Sequence, residues 1–428
     1  PTFDLDSWIV QYDGLLLPYR LAHIATHCPE LSQQSIVVAL AEARRNGSVT
    51  LYAHLIDLAA RLHLAEVAPP DHAWIKQQED INKRELARLE GELRGYKNNL
   101  IRESMRIGQE EVALHHLRTG GPSSPDDSSP ATPSGFVAAA RGFTAIRDYC
   151  SVPDHVAGMN LHSAYTSILQ AVAAQQMGQN ARTHWQSAAA HASRLYILGL
   201  RQEEQAELTP IVEVVTGIAA LGEEAYSFAA NEFIHLPSRY VNLGPIHGRD
   251  FARTVATGND VAIYGGLCAL ATMSRDELLR KVLEGSFRTF LELEPHMRQA
   301  ISLFTNAKYR ACLDTLQRYS VDWNLDIYLG ARRAGQSHVD RLLAMVRRES
   351  IVAHFSSFSA ISLSSLASTF PPSPSCPIPT EEELLPLIHA GKLNARVDLV
   401  SRTLVAPERN PRMVTFANAR AAADEVEK

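Results

Sequence analysis

The 428-residue sequence is 46% hydrophobic and 21% charged, so it is long enough for two or three domains and lacks the composition of a disordered chain. Its 47 acidic residues outnumber its 41 Lys and Arg, and the net charge of -6 argues against a protein that works by neutralising nucleic-acid phosphates. Five scattered cysteines without a C-x-x-C pair exclude a disulfide framework, and no signal-peptide pattern or membrane-length apolar stretch occurs. We therefore expect a soluble protein of the nucleus and cytoplasm with reduced thiols.

The N-terminal segment, residues 1–119, is predicted to be helical. Its first clear helical face carries apolar residues at i, i+3, i+4 and i+7, namely Leu21, Ile24, Ala25 and Cys28. Pro29 should end this helix, and a second helix should follow around residues 36–40. Across residues 74–118, apolar residues at spacings of three and four predict one long amphipathic helix with a narrow seam of Leu86, Leu89, Leu93, Tyr96 and Leu100. Gly108 is the point at which this helix could be interrupted.

Residues 120–135 consist of Gly, Pro, Ser, Asp, Thr and one Ala, which predicts a disordered loop. Helical patterns joined by short turns then follow one another through residues 136–240. They cover about 136–149, 155–176, 180–203, 206–221 and 223–235. Paired helices in series stack into a superhelix, and the irregular repeat length predicts a degenerate tetratricopeptide-like arm.

Residues 241–410 are predicted to form a compact helical bundle that ends in a winged helix at 351–406. The winged helix is expected from short helices at 351–355, 363–370 and 381–390 and two short strands at 395–398 and 403–406. Thr380 and Glu383 should form a capping box at the third helix, Pro386 should bend it, and Gly391 should end it. With a tail helix at 411–428, the predicted fold is all-α with a small β-wing.

No P-loop, dinucleotide-binding, zinc-protease or nucleophile-elbow motif occurs, and no H-x-H pair is available to build a zinc isopeptidase site. Three weaker groups have plainer interpretations. His23 and His27 beside Cys28 have a spacing that can hold zinc but are interpreted as a helix surface. Cys150 near Asp148 and His155 has the composition of a nucleophile site but is interpreted as a core cysteine. Arg347-Arg348 near Arg332-Arg333 could contact acidic groups but are interpreted as a solvated helix face. We therefore expect no catalytic residue, no cofactor and no metal.

The third helix of a winged helix can enter the major groove of DNA, but here it begins with three glutamates, 381–383. Carboxylates at that end repel phosphate, so this winged helix is expected to bind protein and not nucleic acid. The short strands contain no Lys or Pro and should leave one edge free for pairing with a neighbour. The predicted docking residues are Glu382, Leu385, Arg396, Val397, Leu404 and Val405.

Several segments resemble the COP9 signalosome subunit 1 family, whose members carry a PCI domain, a helical bundle followed by a winged helix. The most specific segment is 259–271, Asn-Asp-Val-Ala-Ile-Tyr-Gly-Gly-Leu-Cys-Ala-Leu-Ala, and segments 290–295, 325–329, 395–398, 20–31, 96–107 and 146–150 follow the family order. The family-motif residues are Asn259, Tyr264, Gly265, Gly266, Leu267, Leu291, Pro295, Asp326 and Tyr328. Segments 120–135 and 371–379 depart from the family as insertions.

The resemblance implies that residues 241–410 are a PCI domain and that the chain is a non-catalytic scaffold. It implies a complex that removes a ubiquitin-like modifier from cullin-RING ubiquitin ligases, with other PCI-containing subunits as partners and the isopeptidase site on another subunit. No membrane partner is expected. Two alternatives stay open, namely the equivalent scaffold subunit of the proteasome regulatory lid and a winged-helix nucleic-acid-binding regulator.

Overall fold

The computed structural model describes residues 4–64, 67, 69–121, 135–372 and 380–407, and residues 412, 415, 416, 419 and 420 of the tail. This part of the chain is mostly helical, as predicted. None of its helices is long and apolar enough to cross a membrane. The predicted tail helix lies outside the described residues except at those five positions, all of which are helical and exposed.

The described part of the N-terminal segment contains six helices. They are α1 Leu5–Ile9, α2 Leu17–His27, α3 Ser32–Asn46, α4 Val49–Arg61, α5 His72–Asn98 and α6 Arg102–Thr119. Helix α2 confirms the first predicted helix and ends at His27, with Cys28 as its C-cap immediately before Pro29. Gly47 ends α3 with φ +67°, a conformation that glycine adopts without steric cost.

The prediction of a single long helix at 74–118 is wrong, because the chain turns between α5 and α6. Leu100 has φ +56° and is 81% exposed, so it marks the turn and is not part of the seam. The seam of α5 packs against α6 of the same chain, where Leu89 and Leu93 meet Val112. Gly108 does not interrupt α6, which runs from Arg102 to Thr119. A Cβ at this position would lie 3.1 Å from the Tyr96 ring on α5. This glycine therefore allows the two helices to approach closely.

The predicted helical arm is confirmed as a series of helices that each pack against the next. They are α7 Gly135–Ile146, α8 Pro153–Gln176, α9 Arg182–Ser193, α10 Gln202–Gly222 and α11 Tyr226–His235. The predicted disordered loop falls, for residues 122–134, outside the described residues. Its two ends meet, because a Cβ on Gly120 would lie 2.2 Å from the Cα of Gly135. Helices α6 and α7 therefore pack directly together on either side of this segment.

A bundle of helices follows the arm and continues its core. Its helices are α12 Phe251–Thr254, α13 Gly258–Thr272, α14 Arg275–Glu277, α15 Arg288–Leu291, α16 Pro295–Thr305, α17 Tyr309–Trp323 and α18 His338–Phe355. A hairpin of β1 Arg332–Arg333 and β2 Gln336–Ser337 precedes α18. Helix α11 packs on the central helix α13, so arm and bundle share one hydrophobic core.

The chain ends, in its described part, with a small winged helix. Its elements after α18 are β3 Ala360–Ser362, α19 Leu363–Thr369, α20 Thr380–His389, β4 Arg396–Asp398 and β5 Thr403–Val405. The separate short helix predicted at 351–355 is wrong, because those residues are the last turns of α18. The two-stranded wing is also incomplete as a prediction. The sheet has three strands in the order β3-β5-β4. Strand β3 was not predicted, because this short Ser-containing stretch gives no clear period-2 signal.

Candidate protein-docking site

The winged-helix sheet places the predicted docking residues in different environments. Strand β5 lies in the centre, where Leu404 pairs with Ile361 on one side and Val397 on the other. Leu404 is fully buried, and Val405 also lies in the central strand, so their prediction as free-edge residues is wrong. Arg396 on β4 is exposed and Val397 is half-buried. Among the described residues no strand pairs with the outer side of β4, which is therefore an open edge of the sheet.

The turn between β4 and β5 carries two exposed aliphatic residues that the sequence analysis missed. Leu399 is 81% exposed and Val400 is 96% exposed. The Asp398 carboxylate orders this turn, since it accepts hydrogen bonds from the backbone N–H of Val400 at 2.9 Å and from the Ser401 hydroxyl at 2.6 Å. An apolar Leu-Val pair where a polar turn is expected was the available signal. We call this turn, residues 398–402, the wing tip.

Helix α20 presents the other two predicted docking residues to solvent. Glu382 is exposed and Leu385 is 55% exposed, while Leu384 and Leu387 turn inward to the core. The helix continues through Pro386 to His389 and ends, as predicted, at Gly391 with φ +69°. The exposed face of α20 and the wing tip both carry apolar side chains, which is typical of protein-binding surfaces.

Glu383 does not belong to that exposed face. Its side chain is fully buried, and one of its oxygens lies 2.7 Å from Nε of Arg347, which is also buried. Arg347 in addition donates to the carbonyl of Phe370 at 2.7 Å and to that of Pro371. The interpretation of Arg347 as part of a solvated face is therefore wrong, although Arg348 is 42% exposed.

This ion pair changes one further prediction, and a second stays untested. The carboxylate of Glu383 bonds arginine and faces inward, so it does not add to a row of three exposed carboxylates that would repel DNA. The predicted capping box with Thr380 involves a side chain that lies outside the described part of the chain. The pair joins α18, the end of α19 and α20, and thereby holds the winged helix on the bundle.

The family-motif residues are mainly core residues of the bundle. Tyr264, Gly265, Gly266 and Leu267 are buried along α13, and Leu291 is buried at the end of α15. A Cβ on Gly265 would lie 2.6 Å from the Phe287 ring, so this glycine is needed for close packing. Pro295 begins α16, and Asn259 donates to the Glu294 carboxylate at 2.6 Å. Asp326 and Tyr328 lie in the turn after α17.

Asp326 belongs to a buried polar network that the sequence analysis did not anticipate. Its Oδ2 accepts hydrogen bonds from Tyr264 at 2.8 Å and from Arg20 at 3.2 Å. Its Oδ1 accepts the backbone N–H groups of Tyr328 and Leu329, each at 2.9 Å. Arg20 on α2 is 1% exposed, so this network ties the N-terminal segment to the bundle.

A second carboxylate, Asp260, completes the network. It accepts a hydrogen bond from the Tyr12 hydroxyl at 2.7 Å and from the Thr257 backbone N–H at 2.9 Å. Its Oδ2 lies 4.0 Å from Arg20, whose guanidinium also stacks 4.4 Å from the centre of the Tyr12 ring. Burial raises the pKa of Asp260 above its ordinary value against the opposing charge of Arg20.

The weaker sequence candidates for chemistry are held in structural contacts. His23 is buried, its Nε2 lies 3.0 Å from the Asn324 carbonyl, and burial together with the nearby His27 lowers its pKa to about 4. The helix-surface interpretation is therefore wrong for His23 and for the buried Cys28. Burial raises the pKa of the Cys150 thiol, the opposite of an activated nucleophile. In the described ranges no three His, Cys, Asp or Glu side chains are grouped to hold a metal.

Comparison with known proteins relates two stretches of the chain to described families and most of its length to proteins of one name. Residues 135–281 match the family described as 26S proteasome subunit RPN7, and residues 307–408 match the PCI domain. COP9 signalosome complex subunit 1 of Emericella nidulans is 37% identical over 428 residues, which cover 96% of this chain and 77% of that protein. The Neurospora crassa protein of the same name is 34% identical and covers 90% of this chain and 81% of its own length. Subunit 1b of Drosophila melanogaster is 27% identical over 98% of this chain and 82% of that protein.

Proposed function

This chain belongs to the COP9 signalosome subunit 1 family, and we propose that it is a non-catalytic scaffold and assembly subunit of that complex. The observation that carries the proposal is the extent of the similarity, which covers 96% of the chain and so includes the N-terminal helices, the arm and the winged helix. A relationship of this extent concerns the whole architecture and is not limited to one domain.

We propose further that other PCI-containing subunits dock on the winged helix. The open edge of β4 offers unpaired backbone groups for strand addition, and the exposed Leu385 and wing tip offer apolar area beside it. The wing tip is ordered by Asp398 before any partner binds, so little conformational entropy is lost on docking. Burial of Leu399 and Val400 against a partner should therefore contribute to affinity.

The proposal places the isopeptidase site on another subunit and gives this chain no substrate chemistry of its own. Cullin-RING ubiquitin ligases are then bound through the assembled complex, which acts on them in the nucleus and cytoplasm. Support comes from the side chains that could have formed a site. His23 and Cys150 are engaged in contacts of the helical core, and burial shifts the pKa of each away from catalytic use.

The equivalent scaffold subunit of the proteasome regulatory lid is the second candidate, because residues 135–281 match the RPN7 family. The two functions predict different partners, and mass spectrometry of proteins that co-purify with the tagged full chain separates them. We expect signalosome subunits in near-equal amounts and no proteasome subunits. Recovery of proteasome lid subunits instead would contradict the proposal.

A second assay tests the absence of catalysis. The co-purified complex should remove the modifier from a modified cullin, whereas the full chain alone at the same concentration should remove none. Cleavage by the chain alone would show that the proposal places the isopeptidase activity on the wrong subunit.

A further inference from the structure

A cavity of about 240 Å³ lies where helices α2 and α4 of the N-terminal segment meet α8 of the arm and residues 327–332. Its basic lining residues are His23, His27, His54, Arg61 and Arg332. None of the described residues that line it is Asp or Glu. The cavity is therefore lined by basic and neutral groups, although the chain as a whole carries a net charge of -6.

The two arginines of the cavity have no carboxylate partner in the described part of the chain. They are Arg61 on α4 and Arg332 on β1. Arg333, the next residue on β1, lies 3.2 Å from Glu224. Successive side chains of a strand point to opposite faces, so Arg332 lines the cavity while Arg333 bonds a carboxylate elsewhere. Both cavity arginines are exposed, which leaves their N–H groups accessible to an ion that enters from solvent.

At pH 7 the positive charge of the cavity is that of these two arginines. Burial, together with the nearby His27, lowers the pKa of His23 to about 4, so this ring is neutral. Burial also lowers the pKa of His54, and the charge of Arg61 acts in the same direction more strongly than Asp57 opposes it. A negative ion in the cavity would oppose the effect of Arg61, because a nearby negative charge favours the protonated imidazole.

A neutral side chain in the same wall is also left without a partner. The amide of Gln175 makes no hydrogen bond in the described part of the chain, and its Oε1 is buried. Its N–H groups are therefore available to an acceptor. The adjacent Gln176, in contrast, donates from Nε2 to the Tyr19 carbonyl at 2.8 Å and is held in place. The cavity thus combines two charged donors with a neutral one, which suits a ligand that carries several acceptor oxygens.

We propose that this cavity binds one phosphate group, either as a free ion or on a phosphorylated protein segment. Phosphate on a side chain carries a charge of about -1.5 to -2 at pH 7, which matches two unpaired arginines, whereas a carboxylate carries one charge. Its oxygens also accept the forked N–H groups of arginine. The volume lies below the range of drug-sized ligand sites, about 300–1,000 Å³, so it suits a group of this size. A bound phosphate would connect three parts of the chain, and this function goes beyond assembly.

Two probes distinguish the two sources in titration calorimetry with the full chain in a phosphate-free buffer. Inorganic phosphate represents the free ion, and a capped Gly-phosphoserine-Gly peptide represents a protein segment. The same peptide with unmodified serine is the neutral control. We expect saturable binding of at least one phosphate probe with a Kd at or below about 1 mM, weaker binding at higher salt, and none of the unmodified peptide.

Arg332→Gln removes one of the two unpaired charges. Arg333→Gln is the matched control, because it removes the same charge from the next residue, which does not line the cavity. The first change should weaken binding about tenfold and the second should leave it unchanged within about twofold. Arg61→Gln should weaken binding as much as Arg332→Gln, and it decides the matter if Arg332→Gln fails to fold by circular dichroism.

Binding of the peptide alone assigns the site to a protein segment, and binding of inorganic phosphate alone assigns it to the free ion. Binding of both shows recognition of the phosphate group itself, and each of these outcomes supports the site. Absence of saturable binding by both phosphate probes overturns the proposal. Equal weakening by Arg332→Gln and Arg333→Gln also overturns it, because the effect would then be one of general surface charge. Failure of either kind leaves the assembly function untouched, since that function is tested by co-purification.

Discussion

Arg20 at the junction of the N-terminal segment with the bundle and Arg347 at the base of the winged helix are both buried, but the charges around them differ. Arg20 faces two carboxylates, from residues 240 and 306 positions away in the sequence. Arg347 faces one buried carboxylate, Glu383, and Arg348 lies 3.8 Å from the other oxygen of that group. In the described part of the chain the junction therefore has two carboxylates for one arginine, while the base of the winged helix has two arginines for one carboxylate.

The difference indicates how each contact serves the fold. Arg347 and Glu383 are 36 residues apart and connect the last bundle helix, α18, to the winged helix that follows it. Arg20 connects the start of the chain to the bundle, and this contact requires the desolvation of an unbalanced set of charged groups. Buried ion pairs add little stability compared with apolar packing. Removal of one partner, however, leaves the other charge buried without compensation for its desolvation. The two sites should consequently respond differently to the same substitution.

The largest expected effect is that of Arg20→Met. It leaves Asp260 and Asp326 buried without a cation, so the free energy of unfolding should fall by about 4–5 kcal/mol. Urea denaturation of the full chain, followed by circular dichroism, measures this loss. A loss below about 1 kcal/mol would show that the network contributes nothing beyond packing.

Arg347→Met should cost less, about 3 kcal/mol, because Arg348 still compensates part of the Glu383 charge. The double variant Arg347→Met/Glu383→Leu removes both charges and should recover most of that loss. The same denaturation experiment applies to Arg347→Met, to Glu383→Leu and to the double variant. If the double variant loses as much stability as the two single variants together, the residues are not energetically coupled.

Tyr264→Phe sharpens the comparison by removing one donor to Asp326 and no charge. The loss should be about 1.5–3 kcal/mol, the typical value for a hydrogen bond to a charged group. Tyr196→Phe is the control, since Tyr196 is 48% exposed and its substitution should change stability by less than about 0.5 kcal/mol. Equal effects of the two variants would contradict the importance of the network bond.

The smallest expected effect is on the pH dependence. Because the pKa of Asp260 is raised in the folded chain, the folded state binds the proton of this carboxyl more tightly than the unfolded state. Its contribution to stability is therefore present at low pH and is lost as the pH rises through the folded-state pKa. The stability of the wild type minus that of Asp260→Asn should decrease with rising pH in this range. A difference that increases with pH has the wrong sign for this account.

Much of the fold could be predicted from the sequence because helical periodicity, the Pro29 stop and the Gly391 cap are local signals. The turn at Leu100 could not, since apolar spacing continues across it and only the packing of α5 on α6 decides where the chain reverses. Strand β3 was missed because three residues cannot show a period. The central position of β5 depended on that strand, so Leu404 and Val405 were misassigned.

The positions of the two buried arginines in the sequence indicate their burial, although a count of charges does not show it. Arg20 lies four residues from both Leu16 and Ile24, and Arg347 lies four residues from both Leu343 and Ile351. Each arginine thus falls on the apolar face of its helix, where burial with a partner is expected. Which carboxylate pairs with it could not be deduced, because Asp326 and Glu383 are brought close by tertiary packing.

The central claim is that this chain is a scaffold that docks partners through its winged helix, and the most direct test uses two matched variants. Leu399→Asp/Val400→Asp charges the wing tip, and Ile197→Asp introduces the same kind of change on the arm, where Ile197 is 81% exposed, as is Leu399. Both proteins should keep their helical circular dichroism. The measurement is the amount of each signalosome subunit that co-purifies with the tagged chain. We predict a loss of at least about tenfold for the wing-tip variant and wild-type recovery for Ile197→Asp. Wild-type recovery with the wing-tip variant would contradict the claim.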